Sequence, residues 1–250
     1  MKISLITVSY NSEKTIRETF ESVRGQKIEG FELEYIHVDG LSNDATMEIS
    51  QEFNDIITTR ISEKDSGIYN AMNKGIKMAT GDIIGILNSD DCYASQEILQ
   101  SVVNAFEENE CDAVYADLHY VRRHDSHQIT RKWKSGLYKK NSFFLGWMPP
   151  HPTFFLRKEF YDNYGFFNEK IKSSADYELM LRMIKVRNAS LHYIPKLFVN
   201  MKDGGNSNQS LSHRIKVFTE DRYAWKLNFS RPGYVPIILK ILRKVNQFTI

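Results

Sequence analysis

An α/β fold, with a mostly parallel central sheet flanked by helices, is what this 250-residue chain predicts, on three observations. Strand-like and helix-like segments alternate through its first half, the order that builds a parallel sheet with right-handed crossovers. The run Ile83-Ile84-Gly85-Ile86-Leu87 has the length and apolar character of a buried strand. It delivers Asn88-Ser89-Asp90-Asp91, two adjacent carboxylates at a strand's carboxyl end, where open α/β sheets keep their ligand crevices.

The elements follow in order. Ile3 to Val8 reads as the first strand, and Ile16, Phe20 and Val23 fall at helical spacing, with Gly25 closing the helix. Leu33 to Val38 is the second strand, Asp39 to Asp44 is turn chemistry, and Met47 to Phe53 is a short helix. Ile56 to Arg60 offers a third strand. Ile68, Met72, Ile76 and Ala79 mark one helical face, which Gly81-Asp82 ends before the Ile83 to Leu87 strand. Ser95 stands where an N-cap is expected for the helix carrying Leu99, Val102, Val103 and Phe106. Residues 1–117 read as a nucleotide-binding half. Residues 118–228 read as the second half of the same domain, an acceptor-side elaboration. In it, Arg122-Arg123-His124 and Arg131-Lys132-Trp133-Lys134 are basic segments, and Pro149-Pro150-His151-Pro152 imposes a stiff extended turn. A helix begins at Ala175 with Leu179, Met183 and Val186 as its core face, Ser190 to Met201 is strand-like, and a further helix covers Leu211 to Leu227. Residues 229–250 form a basic amphipathic tail.

The 33 basic and 31 acidic side chains nearly cancel, which excludes a nucleic-acid binder working by phosphate neutralisation along a groove. Cys92 and Cys111 lack metal-ligand spacing with the histidines, so a reducing cytoplasmic compartment is expected. Met1 to Val8 lacks the unbroken apolar stretch of a signal peptide, and no run approaches the roughly 18 apolar residues of a membrane span. Two adjacent carboxylates repel unless a cation or hydrogen-bond donors compensate them. Oxygen-only ligands in a short loop favour Mg²⁺ or Mn²⁺.

Six blocks then carry a resemblance: Thr7-Val8-Ser9-Tyr10-Asn11; Val38-Asp39-Gly40-Leu41-Ser42-Asn43-Asp44; Asp65-Ser66-Gly67-Ile68-Tyr69-Asn70-Ala71-Met72-Asn73-Lys74-Gly75; Ala79-Thr80-Gly81-Asp82-Ile83; Leu87-Asn88-Ser89-Asp90-Asp91; and Ala175-Asp176-Tyr177-Glu178-Leu179. Together they resemble family 2 glycosyltransferases, especially bacterial enzymes of surface-polysaccharide (O-antigen type) assembly, up to about Leu181. The resemblance implies the GT-A fold, with its Rossmann-like sheet and a C-terminal acceptor-side elaboration. It also implies a nucleotide-diphosphate sugar donor, a divalent metal (Mn²⁺ or Mg²⁺) and inversion at the anomeric carbon. The expected reaction moves a hexosyl group from a UDP-sugar to a saccharide acceptor, one carried on a polyprenyl diphosphate.

The resemblance also implies roles. Thr7, Tyr10 and Asn11 line the base and ribose pocket, Asp39 accepts a hydrogen bond from the uracil or ribose, and Lys64 and Asp65 help hold the donor. Asn88 and Ser89 lie on the donor side of the acidic loop. Relatives often carry Asp where this chain has Asn88, which leaves Asp90, with Asp91 nearby, as the metal and diphosphate anchor. Asp176 matches the family's base: an inverting transfer needs a carboxylate across the sugar from the leaving nucleotide. His151 is a diphosphate or acceptor contact. Bland readings stand beside these: Tyr10 as a strand-end filler, Asp39 as a turn stabiliser, Glu63-Lys64-Asp65 as a solvated turn, Asp176 as an N-cap, His151 as a loop residue. Glu178 is the neighbouring alternative for the base.

The loop Asp203 to Asn208 could close as a lid hinged at Gly204 and Gly205. The tail has two readings, a helix packed on the domain or a partner copy in a homo-oligomer, and a peripheral membrane contact through Lys240, Arg243 and Lys244. Two other functional classes share the carboxylate-bearing sheet. One is a metal-dependent sugar nucleotidyltransferase, although Val8-Ser9-Tyr10-Asn11-Ser12 lacks that class's glycine-rich basic phosphate loop. The other is a non-catalytic nucleotide-sugar-binding module.

Overall fold

The computed structural model describes residues 1–123, 125–204, 211–245 and 247. Strand β1 (Lys2–Ser9) pairs in parallel with β2 (Glu32–Asp39) and, on its other side, with β4 (Ile83–Ile86), while β2 pairs in parallel with β3 (Thr59–Ser62). Helices α1 (Ile16–Arg24), α2 (Thr46–Gln51) and α3 (Ile68–Met78) make the crossovers. Residues of β1 alternate between two cores. Ile6 and Val8 join Met72 and Ile76 of α3, and Ile3 and Leu5 join Phe20 of α1. Gly75 lets α3 lie close on the sheet, since a Cβ there would sit 2.5 Å from Ile6 Cγ2.

Beyond β4 the sheet becomes mixed. Strand β5 (Asp91–Tyr93), helix α4 (Ile98–Glu108), the long strands β6 (Ala113–Arg122), β7 (Asp125–Trp133) and β9 (Leu191–Lys202) and the short β8 (Phe155–Arg157) complete an order β3-β2-β1-β4-β8-β6-β9-β5, with β7 against the outer half of β6. β6 runs across position 117/118, so the donor and acceptor halves share one sheet. Helices α5 (Lys158–Tyr164), α6 (Ala175–Met180), α7 (Leu211–Phe229) and α8 (Tyr234–Val245) cover the second half.

Several boundaries differ from the sequence expectation for physical reasons. Ile57 N–H donates to Phe53 O at 2.9 Å, folding 56–57 back onto α2, so β3 starts only at Thr59. The start of α4 is satisfied not by Ser95 but by Gln26, whose Oε1 accepts from the backbone N–H groups of Ile98 and Leu99 at 3.1 and 3.2 Å. Ile68 is exposed, and Ala71, Met72 and Ile76 make the buried face of α3. After α6 the chain enters a π-helical turn, Leu181–Val186, whose extra residue per turn rotates Ile184 into the core and leaves Val186 half-buried.

The tail is docked. Ile237 of α8 is wholly buried, and Lys240 makes a 2.8 Å ion pair with the buried Asp221 of α7. Of the loop 203–208, Asp203 and Gly204 are described; the expected second hinge, Gly205, lies outside the described residues. Among the described residues no helix is long and apolar enough to cross a membrane, and Cys92 and Cys111 are unbridged.

Candidate functional site

The carboxyl ends of the parallel strands converge. After β1, Tyr10 leaves 63% of its surface exposed, a free aromatic face. Asn11 takes φ +48° and Leu41, after β2, φ +65°, a left-handed conformation unusual for a bulky residue. The two loops brace each other: Asn11 N–H donates to Ser42 Oγ at 2.8 Å, and Asn43 N–H to Asn11 Oδ1 at 3.0 Å. Gly40 admits Asp65, because a Cβ there would collide with Asp65 Oδ2. Asp65 Oδ1 in turn accepts from Gly67 N–H at 2.8 Å at the start of α3. Lys64 stays at the surface, its carbonyl accepting from Lys74 Nζ. Ser12 and Ser89 hydroxyls meet at 2.9 Å, tying this edge to the acidic loop.

Two expected donor contacts point inward instead. Thr7 is wholly buried and its hydroxyl is 2.9 Å from Tyr35 Oη, so in this structure it supports the strand end rather than lining a pocket. Asp39 is also wholly buried. Its carboxylate accepts from Ser9 Oγ (2.9 Å), Ser42 N–H (2.8 Å), Ser42 Oγ (2.5 Å) and Ser62 Oγ (2.7 Å). Burial alone would raise its pKa, but these donors outweigh that and hold it below the usual carboxylate range. Four donors fill the acceptor positions of one carboxylate, so Asp39 acts here as the keystone of its turn.

In the acidic loop Asp91 opens β5 and is wholly buried. One oxygen accepts from Asn88 Nδ2 at 3.0 Å. Among the described residues, neither Asp91 Oδ1 nor Asn88 Oδ1 has a hydrogen-bond partner. Burial and then the charge of Asp90 push Asp91 well above the carboxylate range. Asp90 is raised by burial too, against the pull of Arg123 and Lys202. Buried, adjacent and under-compensated oxygens fit a hard divalent cation. No three His, Cys, Asp or Glu side chains cluster as a ligand set among the described residues, so such a cation would complete its shell from water and the donor.

Asp176 stands in the first turn of α6, whose N-cap residue, Ser174, makes no side-chain cap hydrogen bond. Its Oδ1 accepts from Tyr69 Oη at 3.2 Å. The Tyr69 phenol, driven far up by burial and then by the Asp176 charge, remains a donor. Tyr69 stacks on Phe167 with ring centroids 5.4 Å apart, and His151 meets Phe167 edge-on at 5.5 Å. Burial lowers the His151 pKa against the attraction of Asp176, favouring a neutral imidazole. Asn73 locks the segment in place: its amide donates to Phe167 O at 3.0 Å and accepts from Phe167 N–H at 2.9 Å. Glu178 is taken up by Arg182 at 3.0 Å and Asn228 at 3.0 Å, which removes it as the alternative base.

Strand register joins the acidic loop to Asp176. Asp91 opposes Met201, Met201 opposes Tyr120, and Tyr120 opposes Arg131, a row across β5, β9, β6 and β7 whose members share one face. Tyr120, Arg131 and Met201 line a cleft of about 180 Å³ together with His151, Asp176 and Lys202. The Tyr120 phenol, raised first by burial, feels both Asp91 and Asp176. Sequence reasoning missed Tyr69, Tyr120, Arg131 and Lys202 as site residues. The spacing of Tyr69 and Asn73, one helical turn apart, was a readable signal, whereas the cross-strand row leaves none in sequence.

Parallel strands whose carboxyl ends carry an exposed aromatic ring and an acidic loop, with Asp176 on a nearby cleft, make the frame of a GT-A fold. The chain belongs to glycosyl transferase family 2, whose family model matches residues 4–165. Over 103 residues it is 34% identical to an uncharacterized glycosyltransferase of Mycobacterium tuberculosis, a match covering 41% of this chain and 39% of that protein. It is 27% identical over 189 residues to a PGL/p-HBAD biosynthesis glycosyltransferase of Mycobacterium bovis, covering 72% of this chain and 68% of the relative. The crystal structure of residues 1–349 of S. aureus TarS in complex with UDP-GlcNAc superposes with a TM-score of 0.71 at 20% identity, over 98% of this chain and 73% of that one. That likeness confirms the GT-A fold.

Proposed function

We propose that this protein is an inverting glycosyltransferase that moves a hexosyl group from a UDP-sugar to a saccharide acceptor in surface-glycan assembly. One observation supports the reading: the row Asp91-Met201-Tyr120-Arg131 runs from the acidic loop to Tyr120, Arg131 and Met201, which line the same cleft as Asp176. The exposed Tyr10 ring offers the uracil a stacking surface, with Asn11 and Asp65 beside it. Asp90, with Asn88 and Asp91 behind it, would hold a divalent cation, which would neutralise the diphosphate leaving group. Asp176 takes the proton of the acceptor hydroxyl as that oxygen attacks from the face opposite the nucleotide. Tyr69 holds the carboxylate in position, and neutral His151 beside it contacts the acceptor or the diphosphate without adding a charge.

The test is Asp176→Asn, assayed by UDP release from a UDP-sugar panel with Mn²⁺ and saccharide acceptors. Turnover falls by about 10³-fold or more while UDP affinity stays within a few-fold. Normal turnover of the variant refutes the base, and release of pyrophosphate instead of UDP favours the nucleotidyltransferase class.

A second reading concerns location. Val235, Ile238, Leu242 and Val245 of α8 are exposed at helical spacing, with Arg243 in the same helix. An apolar stripe flanked by cations suits a surface of anionic lipid, where a lipid-linked acceptor resides.

A further inference from the structure

Beside the Asp176 cleft lies a larger cavity, of about 570 Å³, between the end of β7, the segment 146–148 and α8. The two share Trp133, Met148, Lys240 and Lys244 in their walls. Lys240 is committed to Asp221, but the walls also carry Lys132, Lys134, Arg243 and Lys244, and no Asp or Glu. Among the described residues none of these four has a carboxylate within ion-pair distance. Four uncompensated cations in one cavity are conspicuous in a chain whose formal charge is only +2.

The concentration is built from two distant parts of the chain and held together. Lys132 N–H donates to Gln247 O at 2.9 Å, and Arg131 Nε to Gln247 Oε1 at 2.6 Å, fastening Gln247 to β7. Gly146 permits the contact from the other wall, since at φ +75° a Cβ there would collide with the backbone of Lys240. Trp147 closes that wall, its indole N–H donating to Ser135 O at 2.7 Å. Lys244 is exposed at the cavity and feels the repulsion of Lys240 and Arg131, which an entering anion relieves. A single carboxylate would balance one of four charges, whereas a phosphodiester or diphosphate presents several oxygens and more charge to Lys and Arg. No residue of the donor edge, Tyr10, Asp39, Asp65 or Ser89, lines this cavity.

Resting on the transferase reading above, we infer that the cavity is an acceptor subsite for a phosphate group, a phosphodiester or diphosphate that the acceptor carries next to the sugar whose hydroxyl reaches Asp176. Trp133, between the two compartments, gives that sugar an apolar face.

The test is calorimetric titration of the full chain with inorganic pyrophosphate, in metal-free buffer with UDP saturating the donor edge. Pyrophosphate binds in the presence of UDP, and Lys134→Gln or Arg243→Gln each weakens it about tenfold, roughly 1.4 kcal/mol, with Arg243→Lys restoring most of the loss. Melting temperature and UDP affinity serve as folding controls. Displacement of pyrophosphate by UDP, or unchanged binding in both glutamine variants, overturns the subsite. Vesicles of phosphatidylglycerol form the second arm: cation-dependent binding to vesicles with none to pyrophosphate assigns the charges to lipid headgroups and overturns it too. Turnover of a UDP-sugar without pyrophosphate binding refutes the subsite alone. Pyrophosphate binding with no UDP released from any donor refutes the transferase reading, and the acceptor role with it.

Discussion

His37, in the centre of β2, governs how the donor edge responds to acid. It is wholly buried, with Nε2 2.8 Å from Ser9 Oγ and Nδ1 2.8 Å from Ser50 Oγ. Partners fix the proton positions. Arg60 Nε donates to Ser50 Oγ at 2.7 Å, and Ser9 Oγ donates to Asp39 Oδ1 at 2.9 Å. Ser50 therefore gives its proton to Nδ1, and Nε2–H gives to Ser9, a donor chain from Arg60 to Asp39 that requires the neutral imidazole. Burial depresses its pKa from 6.5 to about 4, with the Arg60 charge adding and Asp39 opposing. The folded state thus binds its proton later than the unfolded one, so stability is complete above about pH 6.5 and is lost as pH falls toward 4. Integrating between those values from pH 7.5 to pH 5 gives about 2 kcal/mol lost through this residue. The perturbation is His37→Gln, compared with the parent chain by urea unfolding at pH 7.5 and pH 5. The parent loses about 2 kcal/mol more over that interval than the variant does. Equal losses, or a His37 resonance that titrates above pH 6 in the folded protein, refute the reasoning.

Three further outcomes are expected. Tyr69→Phe keeps the ring stack on Phe167 but removes the hydroxyl on Asp176; kcat falls about tenfold with KM for donor little changed, and an unaltered pH-rate profile would contradict the positioning role. Lys240→Met leaves Asp221 buried without its cation and costs about 3–5 kcal/mol, which Lys240→Met with Asp221→Leu largely restores; thermal melts of single and double variants decide. The full chain floats with anionic vesicles, and Ile238→Asp with Leu242→Asp abolishes flotation while leaving the melting temperature within a few degrees; failure of the parent to float removes the membrane contact.

The alternation of strand-like and helical runs fixed the architecture in advance because each local period reports which faces must be buried, and burial of β4 on both sides follows from the continuous apolar run Ile83 to Leu87. Asp90, Asp176 and Tyr10 stand where their motifs led one to expect, at strand and helix ends, Tyr10 exposed and the two carboxylates half-buried. What the chain's order could not give was pairing between distant segments. Gln26 caps a helix 72 residues away, β8 inserts antiparallel between β4 and β6, and Asp91 meets Arg131 only through β9 and β6. The same cause turned Thr7 and Asp39 inward, since their partners Tyr35, Ser9 and Ser62 arrive on adjacent strands. Local sequence sets which face a side chain takes; the register of neighbouring strands decides whether that face meets solvent, a ligand or another side chain.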